Sequence, residues 1–296
     1  MTHSRLSEGH QPQYHIARTA WKTLEPYHAM IYFAPEARAA YTEAGLKGFW
    51  MGYFASRAAA MGAVSASVVA ATFFNFHPDM VARTIPSAWH LSSPQRVLAA
   101  RLHVADAALR RLLGTRIASP EIAEAAELAR HATEGCAVAG RPLFAAYTDL
   151  AWPAEPHLVL WHAATLLREY RGDGHVIALM AEGLDGCEAH LTQVGTGNVP
   201  REVLQSNRGW SNEEWAAAHT RLQKRGLLDE AGKLTPRGKA LRQAVEDRTD
   251  QLALPPWYLL GEEKYARLLQ LVEPLSARVV EQGGIPIPNP MGVSWS

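Results

Sequence analysis

The stretch that most constrains this chain is residues 199–252, VPREVLQSNRGWSNEEWAAAHTRLQKRGLLDEAGKLTPRGKALRQAVEDRTDQL. Pro200 suits the first turn of a helix, where its missing N–H would have had no partner. Arg208-Gly209 breaks that helix after Asn207 and leaves room for a turn. Ser211 with Glu214 three residues on is a capping box, so a second helix starts at Ser211. Trp215, Ala218 and Leu222 share one face of it, and Gly226 ends it. Leu227-Leu228 and Lys233-Leu234 flank Asp229-Glu230-Ala231-Gly232, a short hairpin pattern. Thr235-Pro236 then opens a long helix through Leu241 and Val245.

Helix, turn, helix, β-ribbon, helix is the order of a winged helix-turn-helix unit. The string LQKRGLLDEAGKLTPRGKALRQAVEDRT resembles the corresponding part of MarR-type winged-helix regulators. It has their basic Arg-Gly-Leu exit, here within Leu222 to Leu227, and their Leu-Thr-x-x-Gly phrase at Leu234 to Gly238. The segments EPYHAMIYFAPEARAAY, YFASRAAAMG, FFNFHPDMVARTIPSAW and LWHAATLLREYRGDGH also resemble a family of actinobacterial winged-helix proteins, a likeness that implies architecture only. The MarR-like resemblance implies DNA binding and a homodimer. Here the wing departs from the MarR pattern, being short and acidic at Asp229 and Glu230 with only Lys233 at its tip.

Length and composition set the frame. The 296 residues suffice for one large or two ordinary domains, and 48% are apolar, as in a globular protein. No apolar run approaches the roughly 20 residues of a membrane helix, and MTHSRLSEGHQPQ carries no hydrophobic signal core. With only Cys136 and Cys187, a reducing cytoplasm is the expected location. Lys and Arg balance Asp and Glu at 29 each, which weighs against nucleic-acid binding as the sole task. Residues 199–250 hold ten basic and eight acidic side chains, a thin surplus for phosphates.

Along the rest of the chain the patterns are helical. Residues 1–13 are polar, and a helix from Tyr14 is expected to kink or restart at Pro26. Residues 48–60 are aromatic on several faces, Ser65 caps SVVAATFFNF, and Trp89-His90 reads as loop. Residues 94–113 are amphipathic, with Leu98, Leu102, Ala105, Leu109 and Leu112 inward and Arg101, Asp106, Arg110 and Arg111 outward. Glycines and prolines over 135–156 mark a domain junction. Residues 157–170 form a buried helix that Arg171-Gly172-Asp173-Gly174 ends, with a new helix opening at His175. The tail GGIPIPNPMGVSWS is expected to be extended. The fold class is therefore mostly α: a helical N-terminal domain, 1–150, and a winged helix-turn-helix domain, 151–296, with one small β-ribbon.

Chemistry is sparse. None of the 13 histidines stands three or four residues from another, and HExxH, CxxC, GxSxG and Walker patterns are absent. No metal or cofactor is expected. Aromatics and histidines crowd the first half, and they read first as core and second as an apolar pocket with a few oriented polar groups. On the second reading His28, Tyr32, Tyr53, Arg57, His77, Trp161 and His175 line it and take a small apolar or aromatic ligand. A buried Arg57 needs an acidic partner, for which Glu25 and Glu36 qualify, or an anionic ligand. On the helix-turn-helix, Asn212, Thr220, Arg221, Lys233 and Arg237 are the candidate DNA contacts.

Three functions stay open. The first is a ligand-responsive DNA-binding transcriptional regulator. The second is a small-molecule-binding protein that uses the scaffold for sequestration or transport without touching DNA. The third is an enzyme with His28 or His175 as general acid–base.

Overall fold

The structure is a computed structural model describing residues 14–289 and 291; residues 1–13, 290 and 292–296 lie outside it. Sixteen α-helices are present among the described residues: α1 Tyr14–Ala29, α2 Glu36–Glu43, α3 Gly48–Ala58, α4 Ala66–Phe73, α5 Pro78–Ala82, α6 Ser87–Leu91, α7 Pro94–Leu113, α8 Pro120–Thr133, α9 Pro142–Thr148, α10 Pro156–Ala181, α11 Gly186–Val194, α12 Arg201–Ser206, α13 Asn212–Lys224, α14 Pro236–Leu252, α15 Pro255–Leu260 and α16 Glu262–Glu281. Local chemistry sets many boundaries. Ser65 and Ser93 cap α4 and α7, accepting from the Val68 and Arg96 amides, and Pro94 fills the first position of α7. Pro26 is carried inside α1 without ending it.

Two hydrophobic clusters organise these helices. The first gathers α1, α3, α7, α8, α9 and the greater part of α10, and α15 and α16 return to it. The C-terminal helices thus pack on α1, α7 and α8. The second is built by α11 to α14 around Trp215, Ala218, Leu222 and Leu204. Helix α10 feeds both, with Leu160 and Ala163 in the first and Ala178 and Leu179 in the second.

Several sequence expectations are corrected. Among the described residues there is no strand, so the β-ribbon near 227–235 is not formed; a single antiparallel bridge joins Leu228 to Leu234. The arms are too short for more. The Asp229 amide and side chain both engage Lys233, closing the turn at once. The Leu234 amide is spent on the Gly195 carbonyl, and Thr235 is already the cap of α14. The fold is therefore all-helical rather than winged.

Residues 171–174 do not end a helix either, since α10 runs unbroken for 26 residues. Gly174 serves close packing: a Cβ there would lie 2.9 Å from Arg141 Nη1 and 3.3 Å from Leu252 Cβ. Asp173 caps the start of α9, its Oδ2 accepting from the Leu143 and Phe144 amides. Trp89-His90 is helical, in α6. Finally, Arg101 is not outward. Helix α7 buries the stripe Val97, Arg101, Val104, Ala105 and Ala108 and leaves Leu102 37% exposed.

Candidate functional site

Two places carry the residues singled out from sequence. The first is the helix-turn-helix itself. Helix α12, the turn through Arg208-Gly209, and α13 are fixed by the Ser211–Glu214 capping box, both halves of which are made. Gly226 follows α13 with φ 68°, a conformation that favours glycine. Glu213, Ala217, Thr220 and Lys224 recur at helical spacing on its exposed face.

The five candidate DNA contacts differ in availability. Asn212 is exposed, but its Oδ1 accepts from Arg201 and Gln205, both at 3.1 Å. Thr220 is exposed and donates back to the Ala216 carbonyl. Arg221 is engaged: its Nε donates to Glu188 at 2.8 Å and its Nη2 to Asp185, pinning α13 to the start of α11. Lys233 and Arg237 are exposed. Arg225 is likewise occupied, donating to the carbonyls of Gly183 and Glu182. With Glu213, Asp229 and Glu230 exposed beside them, this face is close to neutral.

The second place is the N-terminal core. His28 from α1, Tyr32 just after it, Tyr53 and Arg57 from α3 and Trp161 from α10 come together there. Thr165 donates to the Trp161 carbonyl, so its oxygen accepts from His28 Nδ1, and His28 Nε2 accepts from the Tyr32 hydroxyl at 3.0 Å. His28 is thereby a neutral, fully engaged ring; burial, then the charges of Arg168, Arg101 and Arg57, hold its pKa well below the ordinary histidine range. Arg57 finds its acidic partner in neither Glu25 nor Glu36. It pairs with Glu169, 3.3 Å to each oxygen, and donates to the Tyr53 hydroxyl. Glu36 is held by Arg111 instead. Burial pushes Glu169 upward, but Arg168, Arg57 and Arg101 outweigh it, and the carboxyl stays ionised below its usual range.

The other two proposed pocket residues lie elsewhere. His175 sits by α14, its Nδ1 donating to Thr249, and burial above all pulls its pKa down to about 3. His77 lies at the joint between the clusters. Its Nδ1 accepts from the Asp79 amide, so Nε2 donates to Glu214 at 2.7 Å, while its ring meets Trp210 edge-on. The Asn75 carbonyl accepts from both Trp210 and His190, and the His77 amide donates to the Arg208 carbonyl. The 74–77 segment thus clasps the turn of the helix-turn-helix. A Cβ at Gly186 would approach the Phe74 carbonyl oxygen to 2.4 Å, so glycine is needed there.

Sequence reasoning missed Arg101, Arg168, Glu169 and Arg208, all of which belong to the N-terminal constellation. Arg101 stacks over Trp161 and Tyr147 at 5.0 and 5.7 Å, Arg168 pairs with Glu169 and Glu25, and Arg208 reaches from the turn to lie over Phe76 at 4.5 Å. Nearby, a narrow crevice of about 20 Å³ is lined by Trp21, Leu24, Glu25, Arg168, Arg171 and Trp257, among others. The thiols are inert by placement, burial raising both Cys136 and Cys187 to about 12.

With this geometry in place, the comparisons give the class of the protein. The model of a helix-turn-helix family matches residues 17–286, and the chain belongs to that family. The match takes in the N-terminal core as well as α12 and α13. No curated protein and no solved structure matches the chain. No single helix among the described residues is long and apolar enough to cross a membrane.

Proposed function

We propose that the protein is a DNA-binding regulator whose α13 enters the major groove. The observation that carries this reading is the family match, joined to a second helix of the motif whose outer face carries small side chains at Ala216, Ala217 and Thr220. Such residues let a helix approach base edges closely. Thr220 and Asn212 are the base-facing candidates, and Lys224, Lys233 and Arg237 the phosphate contacts. Arg221 is given a structural role, since releasing it would break its pairs with Asp185 and Glu188.

Few cations are free on this face, so the reading has a definite signature. Affinity for random duplex DNA should fall with salt at a shallow slope, about −3 on a log–log plot for some three phosphate contacts. Fluorescence anisotropy from low salt upward measures it. K233A/R237A should reduce the slope by about two and weaken binding to all sequences alike. No binding even at low salt would overturn the proposal. The near-neutral face favours a second reading, a small-molecule-binding protein on a helix-turn-helix scaffold, and that same null result would support it.

A further inference from the structure

The N-terminal core holds more positive charge than it can neutralise. Arg57, Arg101, Arg168 and Arg208 meet there, against the carboxylates of Glu25 and Glu169. Glu169 is shared between Arg57 and Arg168, and Glu25 is taken by Arg168 and the Trp21 indole. Nothing acidic remains for Arg101. It is 2% exposed, and its Nε, Nη1 and Nη2 are buried with no partner in good hydrogen-bond geometry, only the Tyr41 hydroxyl standing near enough to accept weakly. Arg57 Nε and Arg208 Nε are also buried without a hydrogen-bond partner. The rings of Trp161 and Tyr147 attract the Arg101 charge through their faces, but they accept nothing in the plane of its fork. Buried guanidinium is otherwise paired, because an ionised group without partners is costly to take from water.

We propose that this cluster, centred on Arg101, binds an oxyanion, the carboxylate or phosphate group of a small ligand. The planar fork of Arg101 presents five donors suited to bidentate capture of such a group. The surrounding rings of Trp161, Tyr147 and Tyr41 suit a flat or apolar body behind it. Arg57 and Arg168 flank the Tyr32 ring at 5.8 and 5.9 Å, so their charge adds to the field on the Arg101 side of the cluster. Arg168 also lines the crevice between α1, α10 and α15, which brings that opening to the edge of the cluster. The inference does not depend on DNA binding, because every group in it belongs to the core or to the Arg208 turn.

The test is thermal melting of the full chain in sodium benzoate and, separately, sodium phosphate, each against sodium chloride at matched ionic strength. At least one oxyanion is expected to raise Tm saturably by roughly 5 °C; benzoate alone identifies a carboxylate and phosphate alone a phosphate group. Arg101→Met should fold, since an apolar side chain of similar size replaces an unpaired buried charge, and should lose the shift. Arg101→Lys keeps the charge and loses the fork, and should weaken apparent affinity about tenfold. The proposal is overturned if neither oxyanion exceeds chloride on the wild-type protein. It is equally overturned if either variant keeps the full shift.

Discussion

At α13 and its end, Arg221 and Arg225 are bound to the carboxylates of Asp185 and Glu188 and to the Glu182 and Gly183 carbonyls between α10 and α11, and the free cations that remain are balanced by Glu213, Asp229 and Glu230. In the N-terminal core the balance is reversed: guanidiniums outnumber carboxylates, and Arg101 has no carboxylate partner. The first arrangement spends its charge on holding helices together at the surface, where solvent screens it. The second concentrates charge where screening is weakest and each interaction counts most. Membership of a helix-turn-helix family directs attention to α13, yet the unusual electrostatics of this chain lie in the core beneath it.

The contrast can be broken most severely at Glu169. Glu169→Gln removes the carboxylate shared by Arg57 and Arg168 and leaves Arg57, Arg101, Arg168 and Arg208 with Glu25 alone. A loss of about 3–5 kcal/mol in urea denaturation is expected. A loss under 1 kcal/mol would mean that the core is open to water and that the two regions do not differ as described.

Helix α10 offers an intermediate effect, from two groups two residues apart with opposite pH responses. Burial raises Asp173 to about 6, so its contribution to stability is present below the unfolded carboxylate pKa and is lost as pH rises toward and past 6. Asp173→Asn cannot ionise but keeps an acceptor for the Leu143 and Phe144 amides. It is expected to match wild type near pH 4 and exceed it by on the order of 2 kcal/mol at pH 7. His175 runs the other way. Its depressed pKa gives a contribution present above the unfolded value of about 6.5 and lost on acidification, by about 2 kcal/mol between pH 6.5 and 5. Denaturation midpoints of wild type, Asp173→Asn and His175→Gln across pH 4–7.5 separate the two.

The smallest effect is reserved for the surface. Arg221→Ala breaks two ion pairs, but its side chain is 47% exposed, and solvent screening limits the cost to below about 1 kcal/mol. On the proposed DNA reading its affinity should stay within about threefold of wild type, whereas K233A/R237A should not. A tenfold loss with Arg221→Ala would move that arginine from scaffold to contact.

How far this was legible in the sequence depended on how local the cause was. The Ser211–Glu214 box, the Ser65 cap and Gly226 act within a few residues, and the structure shows the expected local forms. The ribbon failed for a tertiary reason: the Leu234 amide is claimed by Gly195. Residues 171–174 read as a turn because glycine in a pattern usually marks one, whereas Gly174 answers to Arg141 and Leu252, distant in the chain. Helix α7 offered two apolar stripes one residue apart. The choice of Leu98 and Leu102 over Val97 and Val104 turned Arg101 toward solvent and hid the centre of the candidate site. His28, Tyr32, Tyr53, Arg57 and Trp161 lie together in the core while His77 and His175 lie elsewhere, and the acid that holds Arg57 comes from α10, which no spacing could show.

The continuity of α10 has a geometric consequence. Its 26 residues span about 39 Å, and Arg168 and Glu169 stand on the same helix as Ala178 and Leu179. The rotational phase between the arginine cluster and the helix-turn-helix is therefore fixed by a count of residues, at about 100° each. One residue added between Glu169 and Ala178 would turn the second cluster by that angle, taking the Arg208 turn away from Phe76. A full turn added would restore the angle while sliding the two bodies about 5 Å apart. Length in this segment is as strictly specified as side-chain identity, like the pitch of a screw joining two fittings.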